Sequence, residues 1–320
     1  MIREGTVLGI DTSNYTTSAA IVDKNGNVFR DCRQQLAVRE GRRGLRQSEA
    51  LFQHVDNLPD VIHNVLDDDT RRDIRAVAVS TKPRPREDSY MPVFKAGITE
   101  AAAVSDALGV PLIKLSHQEG HIAAVKEFTP YSEENEILFY HISGGTTELL
   151  KVTDYFGKKG MNIEIIGGTK DISFGQLIDR IGVALGCGFP SGKEMDDSVL
   201  RFCELGEQPS HVLTPIPLDG LFFNLSGIES QTMRLIKEDE MSFIDLSIEL
   251  FDKIAECLLH LTAEAVSATG IDRVVFGGGV SSSRYLRGAL KANMTGLAFG
   301  DYSADNAVGT ALLGRNRLWR

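Results

Sequence analysis

The sequence predicts an α/β fold of two lobes with an interlobe cleft, on three observations. The chain has 320 residues, more than one core usually serves, since single cores stop growing near about 250–300 residues. Each half opens with short apolar strands around a polar turn of Gly, Ser and Thr, then continues into helices and further strands. The polar stretch TPYSEENE (129–136) parts the halves, and no low-complexity segment interrupts them. The expected division is an N-terminal α/β lobe over 1–130, a C-terminal lobe over 131–304 and a final helix over 305–320.

In the first lobe VLGI and SAAIV are apolar runs of strand length, and Lys24–Asn27 turns the chain into a third strand, VFRD. Asp11 to Ser18 forms a hydroxyl-rich loop between the first two. SEALFQHVDNLPDVIHNVL (48–66) carries apolar residues at helical spacing around an internal proline. AVAVS (76–80) reads as a buried strand, KAGITEAAAVSDALG as a helix ended by Gly109, and VPLIKLS as a strand feeding a helix with two histidines. In the second lobe ILFYHIS and TELLKVT make a hairpin around Gly144 and Gly145, followed by a strand NIEII and a helix GQLIDRIGVALG. Residues 243–268 form the longest amphipathic helix, RVVF (273–276) a strand, and SRYLRGAL and DNAVGTALLGRNRLW the last helices. Polar turns on two facing lobes can hold opposite sides of a polyphosphate through backbone N–H groups. That is the logic of the actin/Hsp70/sugar-kinase-like (ASKHA) folds.

The net charge of −10 excludes a nucleic-acid binder that uses its whole surface, while leaving room for a local basic patch. Two stretches qualify: Arg30, Arg33, Arg39, Arg42, Arg43 and Arg46, and KPRPR at 82–86, each read equally well as a solvated loop face. Cys32, Cys187, Cys203 and Cys257 are scattered without CxxC spacing, as in reduced cytosolic proteins. The N-terminus has no signal-peptide pattern and no apolar run is long enough to span a bilayer, so the expected location is cytoplasmic, with no membrane partner.

SHQEGHIAAV (116–125) places His117 and His121 four apart, about 40° from each other on a helix, so both imidazoles can reach one ion. Two core or surface histidines satisfy the same spacing. A zincin peptidase needs HExxH, with the glutamate next to the first histidine. Gln118 holds that place here, and Glu119 lies about 200° round from His117 on the helix, which excludes a peptidase. Three glycine turns, SGGTTELL (143–150), GFPSGKEMDD (188–197) and FGGGVSSSRYLR (276–287), suit phosphate or ribose binding, although each alone is as readily a tight turn. GFPSGKEMDD reads as a loop with carboxylates after it. The chain has neither a Walker A motif nor GxGxxG.

HQEGH, HISGGTTELL, FGQLIDRIGVALGCGFPSG, FNLSGIES, VVFGGGVSSSRYLR and ADNAVGTAL occur in an order and spacing that resemble the TsaD-type tRNA threonylcarbamoyl transferases. That family includes the catalytic subunit of the KEOPS complex and was formerly called glycoproteases. The resemblance covers nearly the whole chain. It implies the two-lobed ASKHA fold and transfer of a threonylcarbamoyl group from its adenylate to N6 of adenosine 37 in tRNAs reading ANN codons. By the same resemblance His117, His121 and Asp305 are metal ligands, His141 is a candidate fourth, and the cofactor is one divalent metal, iron or zinc, with an adenylate or ATP in the cleft. His141, Ile142, Ser143, Gly144 and Gly145 match the loop holding the phosphate and acyl part. Asp179 and Gly192 match nucleoside-binding positions, Asp196 lies where the family often has a ribose-facing carboxylate, and Ser283 stands where the family usually has a nucleotide-contacting asparagine. No further catalytic side chain is assigned, because the donor is already a mixed anhydride. The implied partners are tRNA, a smaller homologous TsaB-like subunit and a TsaE-like ATPase.

Two segments depart from the family pattern. The first turn reads DTSNYTTSAA without the adjacent acidic pair of bacterial relatives, and TKPRPREDSYMPVFKAG replaces a TGPG-type turn after AVAVS. The second departure keeps two further readings open: a paralogous carbamoyl-type transferase with another acceptor, and a non-catalytic nucleotide-binding scaffold.

Overall fold

The structure, a computed structural model, describes residues 5–13, 15–38, 45–157, 160–204, 212–238, 240–300 and 307–320. The chain folds as two compact units. Unit 1 takes Met1–Phe128, Asp154–Asn162 and Tyr302–Arg320, and unit 2 takes Thr129–Thr153 and Ile163–Asp301. The chain therefore returns to unit 1 twice, a division that differs from consecutive lobes cut after residue 130.

Unit 1 is built on a five-stranded sheet of β1 (Thr6–Asp11), β2 (Thr16–Asp23), β3 (Val28–Gln35), β4 (Ile74–Lys82) and β5 (Leu112–Ser116). Its order is β3-β2-β1-β4-β5, with β1 antiparallel to β2 and parallel to β4. Every residue of β1 is buried, which is why TVLGID reads as an unbroken apolar run rather than an alternating one. Leu8 and Ile10 pack with Ala19 and Ile21 against Leu58, Val61 and Ile62 of α1 (Gln47–Val65) and Ala96 and Ala101 of α3 (Phe94–Leu108). A short helix α2 (Asp68–Asp73), not foreseen from the sequence, is capped by Asp67, whose side chain accepts from the Thr70 N–H.

The alternate residues of β1 meet α10 (Ala307–Trp319), and this contact is made through glycine. A Cβ on Gly9 would lie 2.5 Å from the Ala307 carbonyl, and one on Gly314 would lie 2.6 Å from Ala78 Cβ. On its other side α10 rests on α4 (His117–Lys126), where a Cβ on Gly309 would fall 1.9 Å from the Gly120 carbonyl. The segment after Asp154 belongs to this assembly because its aromatic rings finish it. The Tyr155 hydroxyl donates to Glu127 Oε1 at 2.9 Å, Lys126 Nζ stands 3.7 Å over the Tyr155 ring, and the Arg320 guanidinium 4.1 Å over Phe156. Arg315 and Asn316 of α10 bind the same Glu127 carboxylate, at 3.2 and 3.0 Å.

Unit 2 is a seven-stranded sheet of β6 (Ile137–Ile142), β7 (Thr147–Thr153), β8 (Asn162–Thr169), β9 (Leu218–Asp219), β10 (Phe222–Phe223), β11 (Val274–Gly277) and β12 (Leu297–Phe299). The order is β12-β11-β6-β7-β8-β10-β9, with the expected β6–β7 hairpin antiparallel. Its helices are α5 (Phe174–Ala184), α6 (Gly192–Glu204), α7 (Ser226–Glu238), α8 (Phe243–Thr269) and α9 (Arg284–Asn293). Leu246, Leu250, Ile254, Leu258 and Leu261 of α8 feed the main core, together with Leu138, Tyr140 and Phe174. GFPSGKEMDD is not a loop throughout: α6 starts at Gly192, and Met195 and Val199, four apart, bury one face of it. The glycines and proline before it masked that periodicity.

Asp171, just beyond β8, ties the sheet to α7. Its carboxylate accepts the N–H groups of Leu225 (2.9 Å), Ser226 (2.9 Å) and Ile172 (2.7 Å). Burial alone would raise its pKa, but the hydrogen bonds from Leu225, Ser226 and Ile172 outweigh burial and hold it at about 2, below the usual 3.8.

Two outcomes follow. Gly309→Ala forces α10 off α4 and is expected to cost about 1–3 kcal/mol of stability. Gly288→Ala, inside α9 where a Cβ meets nothing within 4 Å, is expected to stabilise by up to about 1 kcal/mol. Urea unfolding of both variants checks the pair. Because the folded pKa of Asp171 is depressed, its contribution is complete above the unfolded value of 3.8 and is lost as pH falls through about 2. In Asp171→Asn, stability measured from pH 5 to pH 2 should fall less steeply than in the unchanged protein.

Candidate functional site

The histidines sit in the first turns of α4. Ser116 caps that helix, accepting the Glu119 N–H at 3.3 Å, while Glu119 Oε2 takes the Ser116 N–H and hydroxyl, both at 2.8 Å. Glu119 Oε1 accepts from Arg317 at 3.0 Å. This buried carboxylate is thus committed to a capping box and an ion pair, consistent with its position on the helix and with the exclusion of a peptidase.

His117 Nε2 and His121 Nε2 face each other at 2.7 Å, and His117 Nδ1 lies 2.8 Å from Asp11 Oδ2. Asp11, at the end of β1, is only 2% exposed. Its carboxylate can only accept from Nδ1–H, which leaves the lone pair of His117 on Nε2, the nitrogen turned towards His121. A carboxylate that orients one imidazole so that its other nitrogen points at a shared locus is the arrangement of metal-ligating histidines. Two nitrogens each about 2.0–2.1 Å from a cation stand about 3 Å apart, so the pair fits one ion after small side-chain rotations. No group of three His, Cys, Asp or Glu side chains that could hold a metal ion occurs among the described residues. Asp305, the third expected ligand, lies outside them. His141 lies on β6 of unit 2.

The other predicted residues gather in unit 2 around a pocket of about 500 Å³. Its lining includes Gly144, Asp179, Gly192, Asp196 and Ser283, together with Ile178, Lys193, Val280 and Arg284. Ile142 is buried in the strand behind it, and Ser143 N–H closes the hairpin turn on the Thr146 carbonyl at 2.8 Å. Neighbouring glycines clamp this turn from two sides. A Cβ on Gly175 of α5 would lie 2.5 Å from Gly144 Cα, and one on Gly278, where φ is +97°, 2.3 Å from the Ile142 carbonyl. The Ser173 hydroxyl donates to the Gly144 carbonyl at 2.8 Å.

Gly144, Gly145 and Gly279 are different. A Cβ on any of them meets nothing within 4 Å, and none has a positive φ. Neither packing nor backbone conformation requires glycine there, as also at Gly188, Gly227 and Gly288, and the main chain at these positions is open to close approach by another group.

Two of the pocket-lining residues are also engaged by the protein itself. Asp196, 6% exposed, does not project into the pocket as an open acceptor. It takes the Ser283 hydroxyl and the N–H groups of Arg284 (2.9 Å) and Tyr285 (3.2 Å), so its charge is spent on the N-terminus of α9. Ser283 is the cap of the same helix, accepting from the Leu286 N–H at 3.1 Å. The serine in place of asparagine therefore serves the helix. Asp179 lines the pocket: Oδ1 takes the Ser191 N–H at 2.8 Å, and Oδ2 has no hydrogen bond among the described residues.

Sequence reasoning missed Asp11 and Lys193. The signal for Asp11 was an acid closing a fully apolar strand, and for Lys193 a cation directly after a pocket glycine. Of the arginine-rich region, Arg30 pairs with Asp67 and Arg33 with Asp31, as on a solvated face. Arg39, Arg42 and Arg43 lie outside the described residues. The KPRPR loop is anchored beside the histidines, since the Gln118 N–H donates to the Pro83 carbonyl at 3.0 Å.

The contrast among the glycines is testable with adenosine monophosphate as probe. Gly144→Ala should leave the unfolding midpoint unchanged and weaken binding at least tenfold, whereas Gly175→Ala should lower both. Calorimetric titration beside urea unfolding separates the two.

The profile of the TsaD family, tRNA N6-adenosine threonylcarbamoyltransferase, matches residues 34–312. Proteins of that description from Christiangramia forsetii and Streptococcus pneumoniae serotype 19F are 28% and 26% identical, over 89% and 92% of this chain and 83% and 85% of their own. Among solved structures, full-length HypF in its phosphate- and nucleotide-bound form aligns with a TM-score of 0.62 at 12% identity, covering 99% of this chain and 56% of HypF. Component A of the Acidaminococcus fermentans (R)-2-hydroxyglutaryl-CoA dehydratase aligns at 0.55 and 13% identity, over 98% and 99% of the two chains. These structural likenesses concern fold alone and agree with the ASKHA class read from the sequence. With a profile match over most of its length, the chain belongs to the TsaD family of transferases, the tRNA N6-adenosine threonylcarbamoyltransferases.

Proposed function

We propose that the protein transfers a threonylcarbamoyl group from threonylcarbamoyl-AMP to N6 of adenosine 37 in tRNAs that read ANN codons. The observation that carries this reading is the pair of open glycines, Gly144 and Gly279, at a nucleoside-sized pocket in a chain of this family, with the open Gly145 next to Gly144 in the turn. In the reaction the adenosine amine attacks the carbamoyl carbon, the bond to the phosphate oxygen breaks, AMP leaves, and the amine gives up one proton. Gly144 and Gly145 let the phosphate and acyl part come close to the main chain, and Asp179 Oδ2 accepts a ribose hydroxyl. His141, Ile142 and Ser143 belong to the same donor-binding strand and turn.

His117, His121 and Asp305 would hold a divalent cation, iron or zinc, with Asp11 fixing the His117 tautomer. Such an ion supplies a Lewis acid for the carbonyl. Work in the cytoplasm with a TsaB-like subunit and a TsaE-like ATPase completes the proposal. No helix among the described residues is long and apolar enough to cross a membrane. A second reading, the same chemistry on another acceptor, is favoured by one observation: the charged, proline-stiffened KPRPR loop is fastened to the histidine helix.

The test supplies threonine, bicarbonate, ATP, the adenylate-forming enzyme, the partner proteins and a tRNA reading ANN codons. Modified adenosine is expected. Its absence while the adenylate is still consumed supports the other acceptor, and no consumption rejects both readings. His117→Ala should lose bound metal by elemental analysis and reduce turnover at least a hundredfold.

A further inference from the structure

The pocket in unit 2 contains seven polar side chains, and the protein itself occupies most of them. Asp196 and Ser283 are spent on the N-terminus of α9. The Ser282 hydroxyl donates to the Gly279 carbonyl at 2.6 Å. Asp197 and Arg284 neutralise each other at 2.8 Å. Two groups are left over: Asp179 Oδ2, an acceptor, and the Lys193 ammonium, for which no hydrogen bond or ion pair occurs among the described residues. Both line this pocket, and the chain links them closely, since the Ser191 N–H binds Asp179 and Lys193 follows two residues later in the first turn of α6.

A carboxylate and an ammonium lining one pocket, with no pairing between them, suit a ligand group that donates and accepts at neighbouring atoms. A vicinal diol does this: one hydroxyl gives its proton to the carboxylate while an oxygen receives an N–H. An isolated phosphate would use only the cation, and a base edge would not need the anion charged. We propose that Lys193 is a specificity residue of this pocket, donating to a ribose hydroxyl oxygen while Asp179 accepts from the diol, so that the pair selects ribonucleosides. The inference rests on the nucleotide reading of the pocket and assigns the ribose end of it to a side chain that neither the fold nor any helix cap employs.

The experiment is calorimetric titration of the full chain and of Lys193→Met with adenosine, adenosine monophosphate and 2′,3′-dideoxyadenosine. The unchanged protein should bind adenosine more tightly than the dideoxy compound. In Lys193→Met, adenosine and adenosine monophosphate should weaken by the same factor, about tenfold, while dideoxyadenosine is unaffected and the unfolding midpoint stays put. Lys193→Arg should recover most of the loss. Equal loss for adenosine and dideoxyadenosine places the lysine on the base and overturns the proposal. Loss confined to the monophosphate places it on the phosphate and does so too, as does no loss at all. If the unchanged protein binds none of the three, the nucleotide reading itself fails, and this inference with it.

Discussion

The contact on which unit 1 depends is the approach of α10 to α4 and β1 at backbone distance. Gly309 meets the Gly120 carbonyl in the turn between the two histidines, and Gly9 leaves room for the Ala307 carbonyl where any larger residue would collide. Helices held by side chains stand about 8–10 Å apart and can slide. Helices held main chain to main chain have one register, and that register sets where the histidine turn lies relative to the end of β1. Asp11 reaches His117 from that strand end. The orientation of one imidazole thus follows from glycines that carry no chemistry.

Unit 2 uses glycine in two opposed ways. Gly175 and Gly278 are glycine because the fold leaves no room for a Cβ, and they press α5 and the turn after β11 onto the Ser143–Thr146 turn. Gly144 and Gly279 are glycine although the fold leaves ample room. The first kind builds a rigid cradle and the second keeps it empty. A cradle of this sort is pre-organised, so a ligand entering it does not pay for ordering the loop.

The strands and the longer helices could be read from the sequence because each carries its own periodicity, and the histidine pair and the SGG turn because their spacing is local. What could not be read involves partners far along the chain. Asp11 meets His117 across 106 residues, and Asp196 meets the start of α9 across 87 to 89. Nothing near Asp196 announces that its charge faces a helix end rather than a ligand. α6 escaped because Gly-Phe-Pro-Ser-Gly signals a loop up to the residue at which the helix begins. The two-residue strands β9 and β10 are too short to show alternation. Five of the residues named from the family resemblance line one pocket, while the hydrogen bonds that engage Asp196 and Ser283 there join segments far apart in the chain.

The discontinuity of unit 1 bears on the order in which the protein is made. Unit 2, made of Thr129–Thr153 and Ile163–Asp301, is complete once residue 301 has been synthesised. The central strand of unit 1 is translated before unit 2, yet the helix that covers one of its faces comes after it. On a ribosome that emits about 5–20 residues each second, the later half can close its core while the earlier half still shows an uncovered sheet to the solvent. The helix α10 then acts as a clasp that reaches β1 and the histidine helix only after unit 2 has been made.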